Sequence, residues 1–301
     1  MRFSQFLRED ALELALPTDV RSAIIDKGGK IYQVGGAVRD DMLGKVSKDL
    51  DLLIVGLELK DLSTLLTRFG KTNLVGKAFG IIKFVPDGAT EEIDISIPRI
   101  DSKSTGKGHK DFEVKLGKGI TLQQDQLRRD FWMNAIAKDI ETGEIHDIDK
   151  KGQTDIENQQ IRVIGSQAFK EDPLRMLRAV QFAARFGFTI ESETMKQIKK
   201  NVRLINTVSA ERFQEEFRKM FEKGTPSIGV DLLKETGILK KLFPRAKALF
   251  PVEYDKLDKK AFPAFLAVLL RGHKSIDIQR GLKLSNEDTN AVSDVLKYMA
   301  M

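Results

Sequence analysis

The stretch that decides the fold runs from residue 32 to residue 56. It reads Tyr32-Gln-Val-Gly-Gly-Ala-Val-Arg-Asp-Asp-Met-Leu-Gly44 and then, after three residues, Lys48-Asp-Leu-Asp-Leu-Leu-Ile-Val-Gly56. A β-rich run enters the glycine pair at 35 and 36, and a helical pattern leaves it. Glycines at such a turn let backbone N–H groups approach an anion, and the helix N-terminus adds its positive end. Arg39 lies one turn into the helix, where it could bind a phosphate oxygen. A glycine pair by itself more often marks only a turn.

Two aspartates follow this turn. Asp49 and Asp51 lie two apart on a predicted strand, so both carboxylates project from one face while Leu50 and Leu52 face the core. Two carboxylates at such a short distance repel each other, and a divalent cation bound between them relieves the repulsion. The alternative is a surface strand whose aspartates only face solvent. The neighbouring glycine turn and Arg39 make this alternative less favoured.

A third acidic candidate, Asp94, lies in the segment Glu91-Glu-Ile-Asp-Ile-Ser-Ile97. Alternation places Ile93, Ile95 and Ile97 on one face and Asp94 on the other. On a neighbouring strand Asp94 would complete a metal site or hold a hydroxyl group, and a solvent-facing position is the alternative. The chain has no cysteine and three histidines, so carboxylates would have to hold any metal, which favours a hard cation such as Mg²⁺.

Composition narrows the class of protein. The chain is 31% charged and 41% hydrophobic, which suits a packed core and excludes a disordered or fibrous protein. The longest apolar run, Phe262 to Leu270, is too short to span a bilayer, and the acidic N-terminal segment is unlike a targeting signal. We therefore expect a soluble, cytoplasmic protein without a membrane partner. The net charge of +6 permits a polyanionic partner without requiring one.

Hydrophobic periodicity predicts an α/β head followed by a helical remainder. Strand patterns predominate from about Lys30 to Asp149, and helical patterns from about Gln167 onward. The predicted strands are Lys30–Val34, Leu50–Val55, Ile81–Val85, Ile93–Ile97 and Ala135–Asp139. The predicted helices are Val38–Leu43, Leu59–Phe69, Pro173–Phe186, Glu193–Asn201, Ala210–Phe221, Ile228–Thr236 and Lys259–Arg271.

Ordered motifs along residues 31–221 resemble those of class II tRNA nucleotidyltransferases (CCA-adding enzymes) and of their relatives, the bacterial poly(A) polymerases. One position departs from the family pattern, since Trp132 stands where a small polar residue is usual. The motifs are GGAVRD with the following DLD, Gly76-Lys-Ala-Phe-Gly-Ile-Ile-Lys-Phe84, Leu127-Arg-Arg-Asp-Phe-Trp-Met-Asn-Ala135, Glu171-Asp-Pro-Leu-Arg-Met-Leu-Arg-Ala-Val180 and Ser209-Ala-Glu-Arg-Phe213.

The resemblance implies a small mixed-sheet nucleotidyltransferase head followed by an all-helical neck and a short body. We place an N-terminal helical leader at 1–28, the head at 29–150, the neck at 151–225 and the body at 226–301. About eighty residues follow the last motif, fewer than in most relatives, so we expect a short or truncated tail.

The resemblance also assigns roles in the head. Asp49 and Asp51 are expected to bind the catalytic metal, with two Mg²⁺ ions, and Asp94 falls where the family carries a further acidic catalytic residue. Gly36 and Arg39 are expected to hold the triphosphate. Arg129 is expected to contact the nucleotide, although Arg128, Arg129 and Asp130 would also suit a hinge of salt bridges between domains.

Asp172, Arg175 and Arg178 lie at the start of a predicted neck helix. Asp172 precedes a proline, so a helix N-cap would explain it without any ligand. Arg175 and Arg178 share one helical face, and a guanidinium beside a carboxylate can address the pairing edge of a base. The resemblance implies that Asp172 and Arg175 select C or A over G and U, and that Arg178 helps to hold the nucleotide. Gln181 replaces an arginine that is common in relatives.

The cationic, glycine-rich segment from Arg99 to Lys118 would by composition be a solvated loop. Arg99, Gly106, Gly108 and His109 resemble the family's flexible loop, which helps the nucleotide pocket to change from C to A. Its presence therefore favours an enzyme that completes CCA or adds the final A, over one that stops after CC.

The predicted function is template-independent addition of C, C and A from CTP and ATP to the 3′ end of tRNA. The predicted partners are the tRNA 3′ end and acceptor stem. The alternatives are an A-adding enzyme or poly(A) polymerase and, more distantly, a non-catalytic RNA-binding module of the same fold. Basic residues after the last motif would suit phosphate contacts, although solvated helix faces explain them equally well. These are Lys234, Lys240, Lys241, Arg245, Lys247, Lys256, Lys259 and Lys260.

Overall fold

In the computed structural model, which describes residues 16–45, 50–75, 80–101, 114–246 and 254–300, the chain divides into two units. They comprise residues 1–157 and 158–301. The predicted end of the head at residue 150 falls shortly before this division. The predicted limits of the leader, neck and body remain predictions.

The first unit is built on a mixed sheet, as the sequence predicts. Its strands are β1 (Lys30–Val34), β2 (Asp51–Val55), β3 (Gly70–Val75), β4 (Ile81–Pro86), β5 (Ile93–Ser96), β8 (Ala137–Asp139) and β9 (Ile145–His146). Within the described residues they pair in the order β3-β4-β5-β2-β1-β8-β9. β6 (Arg99–Asp101) and β7 (Val114–Leu116) form a separate antiparallel hairpin.

Short helices connect these strands. They are α1 (Thr18–Asp26), α2 (Gly36–Met42), α3 (Leu59–Leu66), α4 (Leu122–Leu127) and α5 (Lys151–Glu157), with 3-10 turns at Trp132–Asn134 and Ile148–Lys150. A capping box starts α4, since the Thr121 side chain accepts from the Gln124 amide and the Gln124 side chain accepts from the Thr121 amide.

The sheet packs apolar side chains on both faces. The larger cluster joins one sheet face to α1 and α3, and the smaller cluster lies on the other face. Because β2 is buried at its three central positions, its partly exposed ends are the places where a polar side chain can reach solvent. The larger cluster includes Val20, Ile24, Leu52, Ile54, Leu62, Leu66, Phe84 and Ile95, and the smaller consists of Tyr32, Val34, Leu53 and Ala137.

The predicted head strands are present, one of them clearly shorter than predicted, and they are accompanied by the unpredicted strands β3, β6, β7 and β9. The strand predicted at Ala135–Asp139 begins at Ala137, because the chain before it forms the 3-10 turn at Trp132–Asn134. The strand Gly70–Val75 was not predicted, since its alternation of half-buried and exposed residues gives little apolar signal at a sheet edge. The tertiary pairing with β4, not local propensity, makes it a strand.

The second unit is mainly helical. Its described helices are α6 (Ala168–Glu171), α7 (Leu174–Phe186), α8 (Ser192–Asn201), α9 (Ala210–Lys223), α10 (Pro226–Glu235), α11 (Ile238–Leu242), α12 (Phe262–Leu269), α13 (Ser275–Leu282) and α14 (Asn286–Tyr298). A 3-10 segment spans Val202–Thr207, and the short strands β10 (Gln160–Ile161) and β11 (Thr189–Ile190) pair in parallel.

Apolar faces hold this unit together. α7 is buried along most of its length and packs against α9 and α10. Phe221 of α9 stacks on Phe265 of α12, with ring centroids 4.7 Å apart. Gly187 ends α7 in the left-handed conformation at φ 72°, which glycine adopts without strain. Within the described part of the chain, no helix has both the length and the apolar character needed to cross a membrane.

Candidate active site

The sheet topology brings distant sequence motifs to one edge of the first unit. β1 runs antiparallel to both β2 and β8, so the end of β1 lies beside the starts of β2 and β8. The glycine turn follows β1, Asp51 starts β2, and the Arg128–Asn134 segment precedes β8. Because β5 is parallel to β2, Asp94 joins the same edge. Strand pairing therefore assembles the candidate site.

Asp51 and Asp94 are register partners on the parallel strands β2 and β5. Paired positions on neighbouring strands share a face and lie about 5 Å apart. Lys83 of β4 is the register partner of Asp94 on its other side, and its Nζ lies 3.4 Å from Asp94 Oδ1. The pKa of Lys83 is raised by its side-chain hydrogen bond to Glu92 and by the nearby negative charge of Asp94. The prediction that Asp94 lies on a strand beside Asp51 is therefore confirmed.

These carboxylates fit a hard divalent cation by their chemistry. Asp51 is half-buried and Asp94 is partly exposed, and both offer oxygen ligands on one face. Asp49 lies outside the described residues. Within the described part of the chain, no group of three or more acidic, histidine or cysteine side chains could hold a metal. The predicted ligand pair of Asp49 and Asp51 therefore remains a prediction.

The glycine turn is lined by two guanidinium groups. Gly35 has φ 69°, a conformation that favours glycine, and a Cβ added there would lie 3.1 Å from Arg129 Nη1. A Cβ on Gly36 would lie 3.3 Å from Arg39 Nη2. Two cationic side chains beside the N-terminus of α2 create a positive environment suited to phosphate.

Arg39 is buried and supports the turn. Its Nε and Nη2 donate to Asp40 Oδ1 at 2.9 and 2.7 Å, and its Nη1 donates to Asn134 Oδ1. Asn134 in turn donates to Asp130 Oδ1 at 3.0 Å. With 3% of its surface exposed, Arg39 joins α2 to the segment before β8. Its predicted contact with the triphosphate remains a prediction beside this observed structural role.

Arg129 is oriented by a buried carboxylate. Its Nη2 donates to Asp125 Oδ2 at 3.1 Å, and its Nη1 donates to the Asn134 carbonyl at 3.3 Å. Arg128 donates from Nε and Nη2 to Asp125 Oδ1 at 2.9 and 2.6 Å. Burial alone raises the pKa of Asp125, but the Arg129 and Arg128 charges outweigh it and hold that pKa below its ordinary value.

In the second unit, Asp172 has two structural partners. Its Oδ1 accepts from the Leu174 amide at 3.1 Å, so the carboxylate binds the start of the helix as predicted, but the helix begins at Leu174 with Pro173, not Asp172, in the N-cap position. Arg212 of α9 binds both carboxylate oxygens, donating from Nη1 to Oδ1 at 3.2 Å and from Nη2 to Oδ2 at 2.8 Å. This bidentate pair fixes the carboxylate plane.

Arg175 and Arg178 lie on the same face of α7. Arg175 is 3.6 Å from Glu171, and its side chain is 12% exposed. Arg178 is 3.7 Å from the buried Glu216 of α9 and stacks over Phe182, with its Cζ 5.1 Å from the ring centroid. The nearby Gln181 is 2% exposed. The structure thus places Asp172, Arg175 and Arg178 together within this unit.

The predicted flexible loop is described only at its base. Arg99 starts β6, and its amide donates to Asp125 Oδ1 at 3.3 Å. At the other end, the Lys118 amide donates to Glu58 Oε1 at 3.2 Å. Gly106, Gly108 and His109 lie outside the described residues, so their predicted roles remain predictions.

Sequence reasoning missed three supporting residues. Asp125 lies three and four residues before Arg128 and Arg129, a spacing that places acid and base together on a helix and could have revealed it. Arg212 was quoted within the Ser209–Phe213 motif without a role. Lys83 gave no local signal, because its partnership with Asp94 arises only from strand pairing.

Comparisons with known proteins agree with this architecture. The Poly A polymerase head domain matches residues 31–162, and the probable RNA and SrmB- binding site of polymerase A matches residues 187–250. The multifunctional CCA protein of Shewanella denitrificans is 40% identical over 229 residues, covering 74% of this chain and 52% of that protein. The CCA-adding enzyme of Pseudomonas entomophila is 36% identical over 227 residues, covering 73% of this chain and 57% of that protein.

A solved structure extends the similarity to most of the chain. The Bacillus stearothermophilus CCA-adding enzyme in complex with CTP has a TM-score of 0.76 and 28% identity, covering 93% of this chain and 68% of that one. A mixed-sheet head of this kind, with its glycine turn and paired carboxylates, defines a nucleotidyltransferase-type fold. The chain belongs to the family of CCA-adding enzymes and bacterial poly(A) polymerases. It spans about half the length of the curated relatives it matches.

Proposed function

We propose that this protein is a metal-dependent, template-independent RNA nucleotidyltransferase that adds C, C and A to the 3′ end of tRNA. CTP and ATP are the substrates, and pyrophosphate is released. The observation that carries the proposal is the alignment of Asp51 with Asp94 at the sheet edge where Arg129 and Arg39 line the glycine turn. The relatives named for CCA addition support the same reading.

The reaction requires little covalent chemistry from the protein. The RNA 3′ oxygen forms a bond to the α-phosphorus, and the bond between that phosphorus and the β-phosphate oxygen breaks. When bound, Mg²⁺ would lower the pKa of the 3′ hydroxyl and offset charge on the pyrophosphate, with Asp49 and Asp51 as its ligands. Asp94 would orient the hydroxyl, and Arg129 and the amides of the glycine turn would hold the phosphates.

Selection of the base would fall to the second unit. Asp172 offers acceptors and Arg175 offers donors, a combination that can match the pairing edge of cytosine or adenine. Arg212 keeps the Asp172 carboxylate in one plane, which a hydrogen-bonded template needs. Arg178, stacked on Phe182, would help to hold the nucleotide.

An extension assay tests the proposal. A tRNA transcript lacking its terminal CCA is incubated with Mg²⁺ and with CTP and ATP, separately and together, and the products are sequenced. We expect two C residues followed by one A. Addition of A alone would identify an A-adding enzyme, and a homopolymeric tail would identify a poly(A) polymerase.

Two matched variants test the assignment of Asp51 as a metal ligand. Asp51→Ala should abolish extension while RNA binding stays nearly intact, because the variant removes a metal ligand and not an RNA contact. Asp87→Ala, which changes an exposed turn residue after β4, is the matched variant and should extend RNA normally. RNA binding by the wild-type chain without extension under any condition would instead favour a non-catalytic RNA-binding module.

A further inference from the structure

Asp125 is a buried carboxylate with an unusual set of partners. Its surface is 0% exposed, and it accepts from the side chains of Arg128 and Arg129 and from the backbone amide of Arg99. A buried charge is costly unless it is paired and hydrogen-bonded, and here both oxygens are engaged. The three donor residues lie in two parts of the chain: Arg128 and Arg129 follow Asp125 directly, and Arg99 starts β6.

One part is the arginine beside the glycine turn. Arg129 lies where a Cβ on Gly35 would come within 3.1 Å of its Nη1, and its Nη2 is held by Asp125 Oδ2. It also donates from Nη1 to the Asn134 carbonyl, at the longer distance of 3.3 Å. Asp125 therefore provides the charged contact that orients this guanidinium.

The other part is the base of the β6–β7 hairpin. Arg99 pairs with Leu116 across the hairpin, so the amide held by Asp125 belongs to the first residue of β6. The same oxygen, Oδ1, is held in place by two bonds from Arg128. A movement of the Asp125 carboxylate would therefore change the position of both the hairpin base and the Arg129 guanidinium.

We infer that Asp125 is a positioning residue that couples phosphate binding at the glycine turn to ordering of the β6–β7 hairpin base. Because phosphate binds best when Asp125 holds Arg129 beside the turn, bound phosphate favours the state in which that carboxylate is fixed, and the same carboxylate accepts from the β6 amide. The inference rests on the proposed function only in taking a nucleoside triphosphate as the ligand of the turn.

Glu58 offers a natural comparison. It contacts the other strand at the same base of the hairpin, because its Oε1 accepts from the Lys118 amide and a Cβ on Gly117 would collide with its Oε2. Within the described part of the chain, Glu58 contacts Lys118 and Gly117 here and not Arg128 or Arg129. A variant at Glu58 should loosen the hairpin without disturbing Arg129.

The test compares Asp125→Asn with Glu58→Gln in the full chain. The amide keeps the size of the side chain but loses the charge that holds Arg129. We expect Asp125→Asn to weaken CTP binding in the presence of Mg²⁺ by roughly tenfold to a hundredfold. Its hydrogen exchange at residues 99–101 should be faster and insensitive to CTP. Glu58→Gln should speed exchange near residue 118 and bind CTP as the wild-type chain does.

A second measurement needs no variant and applies even if Asp125→Asn fails to fold. In the wild-type chain, saturating CTP should slow hydrogen exchange at residues 99–101. Unchanged exchange on CTP binding would overturn the coupling, as would equal losses of CTP affinity in both variants. A wild-type chain that binds CTP and protects β6 but extends no RNA would refute the proposed function and leave the coupling standing.

Discussion

At the scale of single residues, two arginines beside the same turn have different surroundings. Arg39 is 3% exposed and bonded to Asp40 and Asn134, so it supports the local fold. Arg129 keeps 17% of its side chain exposed and faces Gly35. The sequence assigns Arg39 to the triphosphate and Arg129 to the nucleotide, because residue type does not reveal how deeply the protein buries each guanidinium.

Gly35→Ala tests the proximity of the turn to Arg129. Both Gly35 and Gly44 have positive φ, at 69° and 72°, but a Cβ at Gly44 would meet nothing within 4 Å. An alanine should cost about 1 kcal/mol of stability at Gly44 from positive-φ strain, and about 1–3 kcal/mol at Gly35, whose ψ of −131° lies outside the left-handed helical region. Only Gly35→Ala should also weaken CTP binding, because it displaces Arg129. Calorimetric titration checks this, and equal CTP affinities in the two variants would contradict it.

Arg212→Ala tests whether the Asp172 carboxylate must be held in one plane. Loss of the bidentate pair should lower the preference for CTP and ATP over GTP and UTP about tenfold, since a charge-assisted contact contributes roughly 1.5–3 kcal/mol. The ratio of kcat/KM values measures this preference. Arg203→Ala, at an exposed arginine of the same unit, is the control. Selectivity that is unchanged in Arg212→Ala would limit Arg212 to a role in stability.

At the scale of secondary-structure elements, a lysine from a later part of the chain binds the C-terminal end of α9. Lys259 Nζ donates to the carbonyls of Phe221 and Gly224 at 3.1 and 2.7 Å. A cation at this end also interacts favourably with the helix dipole. The sequence grouped Lys259 with lysines suited to RNA phosphates, whereas the fold engages it at a helix terminus.

Lys259→Ala should therefore lower stability more than RNA affinity. We expect a loss of about 1 kcal/mol in the free energy of unfolding, because two helix carbonyls lose their donor. Lys260→Ala is the matched variant, since this neighbouring lysine is exposed. Urea unfolding and RNA binding at several salt concentrations separate the two effects. A larger fall in RNA affinity for Lys259→Ala than for Lys260→Ala, without loss of stability, would refute this role.

At the scale of the whole molecule, carboxylates with a lowered pKa make stability dependent on pH. Burial raises the pKa of Glu191, but hydrogen bonds from the Thr194 amide and hydroxyl outweigh it, so the pKa is lowered, as it is for Asp125. A group with a depressed folded-state pKa stabilises the fold above its unfolded value and loses that contribution as pH falls through the folded value. Asp125 lies in the first unit and Glu191 in the second.

The unfolding free energy of the chain should accordingly fall as pH is lowered below about 4.5, the region where unfolded carboxyl groups take up protons. Glu191→Gln should be less stable than the wild type at pH 7 and should show a shallower decline in acid. Chemical unfolding between pH 7 and pH 3 checks this. Parallel curves for variant and wild type would show that Glu191 does not contribute to the acid dependence.

Much of the fold could be predicted because its signals are local. The periodicity of Lys30–Val34 and of α7, the proline before α7 and the glycine after it all act within a few residues of one another. β3 could not be predicted, since its residues lack a strong apolar alternation and depend on pairing with β4.

The sequence by itself determined the family, the α/β order of the head and the residue types of the candidate site. Motifs and hydrophobic periodicity involve residues that are close together in the chain, so they can be recognised without the fold. Only the tertiary structure decided that Asp94 aligns with Asp51, that Asp125 joins Arg129 to the β6–β7 hairpin, and that Arg212 holds Asp172. Apart from the local Asp125–Arg129 pair, these partnerships join residues separated in sequence. They depend on strand register and helix packing, which arise when the whole core is buried.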